Sequence, residues 1–128
     1  MYQNQQYDFD WGPDGPLAPL YARLATPEYM GMIDPPVGWL PLVLKLNDNL
    51  SSILPAYTIA QVKEKFAGLR YSIDSFGVAL DDPRVALAKE LITEAEQAST
   101  RICQVCGQPG QQRKDITWHA TLCDEHAS

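Results

Sequence analysis

Near its C-terminus the chain carries Cys103-Gln104-Val105-Cys106-Gly107 and, with sixteen residues between Cys106 and Cys123, Cys123-Asp124-Glu125-His126. Two thiols separated by two residues can reach one ion from a tight turn, and a glycine after the second permits the positive φ that aims backbone amides at the sulfurs. Cys123 and His126 are three apart, so in the first turn of a helix they share a face. Three thiolates with one imidazole suit a closed tetrahedral Zn2+ site. The chain has three cysteines in all, and an odd number in a reducing compartment argues against a disulfide framework. One structural zinc per chain is therefore expected, held by Cys103, Cys106, Cys123 and His126. His119 is the alternative fourth ligand. The paired spacing favours His126, and a lone histidine beside Trp118 on a strand is more simply an ordinary surface residue.

Between the ligand pairs, Pro109-Gly110 and the segment from Ile116 to Leu122 allow a hairpin. The order knuckle, hairpin, helix is the layout of a treble-clef zinc finger. Upstream, Trp39, Leu42, Val43, Leu46, Leu50, Ile53 and Leu54 recur at three- and four-residue steps, which predicts an amphipathic helix stopped by Pro55. The period then changes. Val62, Glu64 and Phe66 alternate with charged neighbours, Ala67-Gly68 can turn, and Leu69, Tyr71 and Ile73 alternate again, as in a β-hairpin. Asp82-Pro83 supplies a cap and a first-turn proline for a second long helix with the stripe Val85, Ala88, Leu91, Ile92, Ala95 and Ile102.

A chain of 128 residues supports one modest core. The expected class is α+β, a small helical domain with a β-hairpin and a C-terminal treble-clef-like zinc finger. Residues 1–34 read as an acidic Pro/Gly-rich arm, and 35–128 as a single domain with its zinc module at 101–128. In the arm, Tyr7, Phe9 and Trp11 alternate, Leu17 to Leu24 can form a short helix, and Thr26-Pro27-Glu28 reads as the start of another.

Charge bears on partners. The formal net charge is −6, and binding zinc through three thiolates makes it about −7. Asp8, Asp10, Asp14, Glu28 and Asp34 face only Arg23 within residues 1–34, so five acids against one base leave −4 there. That sign opposes nonspecific nucleic-acid binding and suits a protein partner with a basic surface, steered by Asp8, Asp10 and Asp14. A local basic strip exists at Lys63, Lys65 and Arg70, where basic and aromatic residues mix; a half-buried hairpin with a solvated lysine face is its simpler explanation. No apolar run reaches the roughly 20 residues of a membrane helix, and MYQNQQYDFDW lacks the basic start and apolar stretch of a signal peptide. A soluble, cytoplasmic protein is expected.

Catalysis is not expected. An open zinc site needs a water in its fourth position and a general base nearby, for which Glu125 is the candidate. The base-deaminase signature is absent, since Ile102 precedes Cys103 and no His-x-Glu occurs. A nuclease reading of His119 lacks the asparagine or second histidine that would complete it.

The stretches Gly38-Trp39-Leu40-Pro41, Gln61-Val62-Lys63-Glu64-Lys65-Phe66-Ala67-Gly68-Leu69-Arg70-Tyr71, Ile102 to Gly110 and Thr121-Leu122-Cys123-Asp124-Glu125-His126 resemble a family of small uncharacterised bacteriophage and prophage proteins. The likeness covers about residues 36–127. It implies a phage context, a bacterial host cytoplasm and the four zinc ligands, and it carries no activity. In that context the expected function is a protein-interaction module, such as an inhibitor of a host nuclease-based defence of the CRISPR or restriction type, whose partner is a nucleic-acid-binding complex. The alternative is a nucleic-acid-binding accessory or transcription factor that uses the zinc finger and the Lys63, Lys65 and Arg70 hairpin.

Overall fold

The computed structural model describes residues 14–26, 32–114 and 119–127. The two long helices form where the apolar spacing places them, except that Ile102, expected on the second stripe, lies beyond that helix and bridges to Pro109. After a 3-10 turn at Val37–Trp39, α2 runs over Leu40–Ile53 with Pro41 in its first turn, where a missing amide costs nothing, and it buries Val43, Leu46, Asn47 and Leu50. The second, α3, spans Pro83–Ser99; the Asp82 carboxylate accepts from the Arg84 amide at 2.9 Å, and Val85, Ala88, Ala95 and Ser99 are buried.

The expected hairpin pairs β2 (Thr58–Lys65) with β3 (Gly68–Ser75), and the two-residue strand β1 (Ile33–Asp34) joins β2 in parallel. The order is β1-β2-β3. Val62, Leu69 and Tyr71 face the helices. Outward amides of the edge strand β3 are taken up by α3: Leu69 donates to Ser99 Oγ at 2.8 Å and Tyr71 to Glu96 Oε2 at 3.0 Å. An edge covered in this way cannot recruit another strand.

The turn is not where glycine suggests. Lys65 pairs with Gly68, so its central residues are Phe66 and Ala67, at φ 53° and 68°. Phe66, expected on the face of Val62 and Glu64, instead projects from the tip and is 76% exposed, while Ala67 is buried.

The core extends to both sides of residue 34, the expected end of the acidic arm. Leu17 and Leu20, on and just before the short α1 (Ala18–Tyr21), and Ile33 are fully buried in one cluster with Trp39, Val43, Leu50 and Ile59. Leu24 bridges to Ile59, and the Arg23 guanidinium donates to the carbonyls of Pro55 and Tyr57 while lying 4.3 Å above the Tyr57 ring. A pair of leucines three apart is too short to register as a periodic pattern, yet it suffices to anchor a segment. The readings at Tyr7, Phe9, Trp11 and Thr26-Pro27-Glu28 involve positions outside the described residues.

The C-terminal module follows α3. It comprises a turn at Cys103–Gly107, β4 (Gln111–Arg113) paired antiparallel with β5 (Ala120–Leu122), and a single helical turn, α4 (Asp124–Ala127). The class is α+β. Among the described residues no helix is long and apolar enough to cross a membrane.

Candidate metal centre

The knuckle is closed by hydrogen bonds from the Gly107 amide to the Cys103 carbonyl at 3.0 Å and from the Cys103 amide to the Gln108 carbonyl at 2.8 Å. Gly107 has φ +80°, the left-handed conformation its place after the second cysteine anticipates. Cys123 leads into α4, whose turn closes with Ala127 N–H to the Cys123 carbonyl. Four ligand atoms converge there, those of Cys103, Cys106, Cys123 and His126, all within 4.8 Å of one another.

The separations decide what can sit between them. Zinc bonds of about 2.3 Å to sulfur and about 2.0 Å to nitrogen make tetrahedral edges of about 3.8 Å between two sulfurs and about 3.5 Å between sulfur and nitrogen. The observed edges are 3.7 Å for Cys106 Sγ to Cys123 Sγ, 3.7 Å for Cys103 Sγ to His126 Nδ1, and 3.2 Å for Cys123 Sγ to His126 Nδ1. The residues therefore fit a tetrahedral ion, with His126 presenting Nδ1. His119 is exposed and lies outside the cluster.

Protonation tells the same story. Burial opposes the Cys103 thiolate, but N–H bonds from Cys123, Cys106 and Val105 outweigh it and lower the thiol pKa. The Cys106 thiol is pushed up to about 11, by desolvation and by the neighbouring Cys103 and Cys123 sulfurs, against the Gln108 amide. Three thiolates this close repel one another, and a divalent cation is the group that lets all three ionise.

The module is seated on the core by residues with no metal chemistry of their own. A Cβ on Gly38 would collide with the carbonyl oxygen of Cys103, and the Gly38 amide donates to the Gln104 carbonyl at 2.8 Å. Trp39, fully buried, donates from Nε1 to the Ile102 carbonyl at 2.8 Å. Gln104 and Thr121 lock the knuckle to β5 twice: Gln104 N–H to the Thr121 carbonyl at 2.9 Å, and Thr121 N–H to Gln104 Oε1 at 2.6 Å. The Thr121 hydroxyl then donates to the Ala67 carbonyl at 2.6 Å, which ties β5 to the hairpin tip. Sequence reasoning missed Gln104 and Thr121, for a buried polar pair seventeen residues apart leaves no periodic trace. For Gly38 and Trp39 the signal was a glycine before a tryptophan ahead of an apolar helix, which marks a close approach without saying to what.

Of the residues expected to contact a partner, Asp8 and Asp10 lie outside the described residues and Asp14 is exposed. Lys65 and Arg70 are exposed and Lys63 is half-buried; the register sets Lys63 opposite Arg70 and Lys65 opposite Gly68, so the three cations share the sheet face turned away from Val62, Leu69 and Tyr71. Arg113, by contrast, is engaged with Asp124 at 2.9 Å and with the Leu122 carbonyl. Glu125, the candidate base, is exposed on α4. No protein-family model, curated protein or solved structure matches the chain.

Proposed function

We propose that the chain is a zinc-stabilised binding module with no catalytic role, and that its metal serves to hold the tip of the β2–β3 hairpin in place. The observation that carries this reading is the hydrogen bond from Thr121, two residues before the ligand Cys123, to the Ala67 carbonyl at the centre of the turn. A tetrahedron filled by three sulfurs and one imidazole supports a structural ion, since no position is left for an activated water. The sequence knuckle, two-stranded sheet, helical turn supports a treble-clef-like reading of the module. Grooves support a macromolecular partner: the one beside the knuckle, about 410 Å³, is walled by Val37, Leu40, Pro41, Leu42 and Val105 and offers no acid, base or free nucleophile beyond the ligand Cys106.

Action on a host nuclease-based defence complex, the use suggested by the phage resemblance, is a narrower form of this reading. It would work through the acidic arm or through the hairpin, and charge reversal at Asp14 or at Lys65 separates the two. The module reading itself is tested by hydrogen exchange with and without a zinc chelator. Amides of residues 66–70 and 103–110 should lose protection on zinc removal while α2 keeps its own. Unchanged protection at the tip would overturn it.

A further inference from the structure

Two departures from ordinary sheet chemistry fall side by side on the hairpin. A two-residue hairpin turn with φ positive at both positions favours Asn-Gly, because left-handed backbone costs a side-chain-bearing residue. Here Phe66 and Ala67 occupy it, and the phenylalanine ring gains no burial in return, being 76% exposed. The strain persists because both ends of Ala67 are tied: its amide donates to Glu64 Oε2 at 2.7 Å and its carbonyl accepts from Thr121. The second departure is Lys63 directly opposite Arg70, a like-charge cross-strand pair that weakens a sheet. The carboxylate in register on that face is Asp34, opposite Lys63 on β1. Among the described residues no carboxylate lies within ion-pair distance of Lys63, Lys65 or Arg70; the two ion pairs there are Arg84 with Asp82 and Arg113 with Asp124.

We infer that the tip and outer face of this hairpin bind single-stranded nucleic acid, an unpaired base stacking on Phe66 while Lys65, Lys63 and Arg70 follow the phosphates. This rests on the binding-module reading and names its partner. Lys63 and Lys65 stand two residues apart on one strand, about 6.8 Å, a spacing suited to an extended sugar–phosphate backbone. Lys65 Nζ already lies 5.7 Å from the Phe66 ring centre, so ring and cation meet the ligand together. The surroundings discriminate between partners. A protein-docking surface has a contiguous apolar centre, whereas Phe66 is the one large apolar side chain exposed on this hairpin, and the outer-face positions behind it, Gln61, Lys63, Lys65, Arg70 and Ser72, are polar. One ring among cations is what a single strand uses, and a duplex has no unpaired base to offer it. The chain's charge of −6 keeps this affinity modest and the contact short-ranged.

The test uses the full zinc-loaded chain and fluorescent oligothymidylate and oligouridylate, read by anisotropy across a salt series. Three phosphate contacts give a slope of log K against log salt of about −2. Phe66→Ala should weaken binding about tenfold and Phe66→Trp should retain it, as loss and replacement of one stacking ring require. Lys63→Glu with Arg70→Glu should remove most of the salt dependence. Phe66→Gly should raise the unfolding midpoint yet weaken binding, whereas a merely structural Phe66 would lose both together. The sugar preference of the two oligomers identifies DNA or RNA as the source. Absence of binding, equal binding of a duplex, or capture of a polyglutamate peptide in place of the oligomers would overturn the inference, the last in favour of an acidic protein. Zinc content and tip protection are measured on the same samples: a chain that keeps both and ignores the oligomers overturns this site and leaves the module reading standing.

Discussion

Among the described residues, fifteen buried apolar side chains form one cluster around α2, α3 and the three-stranded sheet, whereas the C-terminal module's own cluster is Cys103, Ala120 and Leu122. The first region can be held by burial, at about 1.5–3 kcal/mol for each fully buried large side chain. The second cannot, because ordering its backbone costs about 1–2 kcal/mol per residue. On the zinc-module reading proposed above, ligation, worth roughly 10–16 kcal/mol in zinc-finger peptides, would offset that cost. The larger region thus rests on many side chains, while on this reading the smaller one depends on four ligands and on its seat against Gly38 and Trp39.

The contrast can be broken most forcefully at the metal. Cys106→Ser removes one ligand and should cost the module most of its ligation energy, so protection across residues 101–127 should vanish while α2 and α3 still unfold cooperatively; loss of both regions together would show that they share one stability. Next in size is Gly38→Ala, whose new methyl collides with the Cys103 carbonyl. A forced shift of that kind costs about 3 kcal/mol, and chemical denaturation should report it while zinc stays bound, since no ligand changes. Thr121→Val keeps the shape and deletes the hydroxyl bonded to Ala67. It should cost about 1–2 kcal/mol, visible as faster exchange at the hairpin tip with little change in the module's zinc content. The smallest effect has the opposite sign: Phe66→Gly relieves backbone strain and should stabilise the chain by up to about 1 kcal/mol, measured by the same denaturation.

Legibility in the sequence followed the same divide. Ligand chemistry is written in fixed spacings, so Cys103, Cys106, Cys123 and His126 could be named and His119 set aside; helical periods marked α2 and α3, and alternation marked β2 and β3. What escaped has physical reasons. Leu17, Leu20 and Ile33 sit in elements of four residues or fewer, too short to show a period, so the core's extension before residue 35 was invisible. Gly68 drew the turn one position too far along, because Phe66 occupies a conformation its side chain disfavours and local propensity cannot foresee a strain that Thr121 and Glu64 hold from outside. The seat of the module is a matter of contacts between distant segments, Gly38 with Gln104 and Trp39 with Ile102, which no local pattern encodes.

The most direct test of a closed structural site is X-ray absorption at the zinc edge of the protein purified without added metal. Three sulfurs at about 2.3 Å and one nitrogen at about 2.0 Å are expected, with the nitrogen lost in His126→Ala and kept in His119→Ala. An oxygen in the first shell of the unmodified protein, or a nitrogen that disappears with His119 instead, would contradict the account.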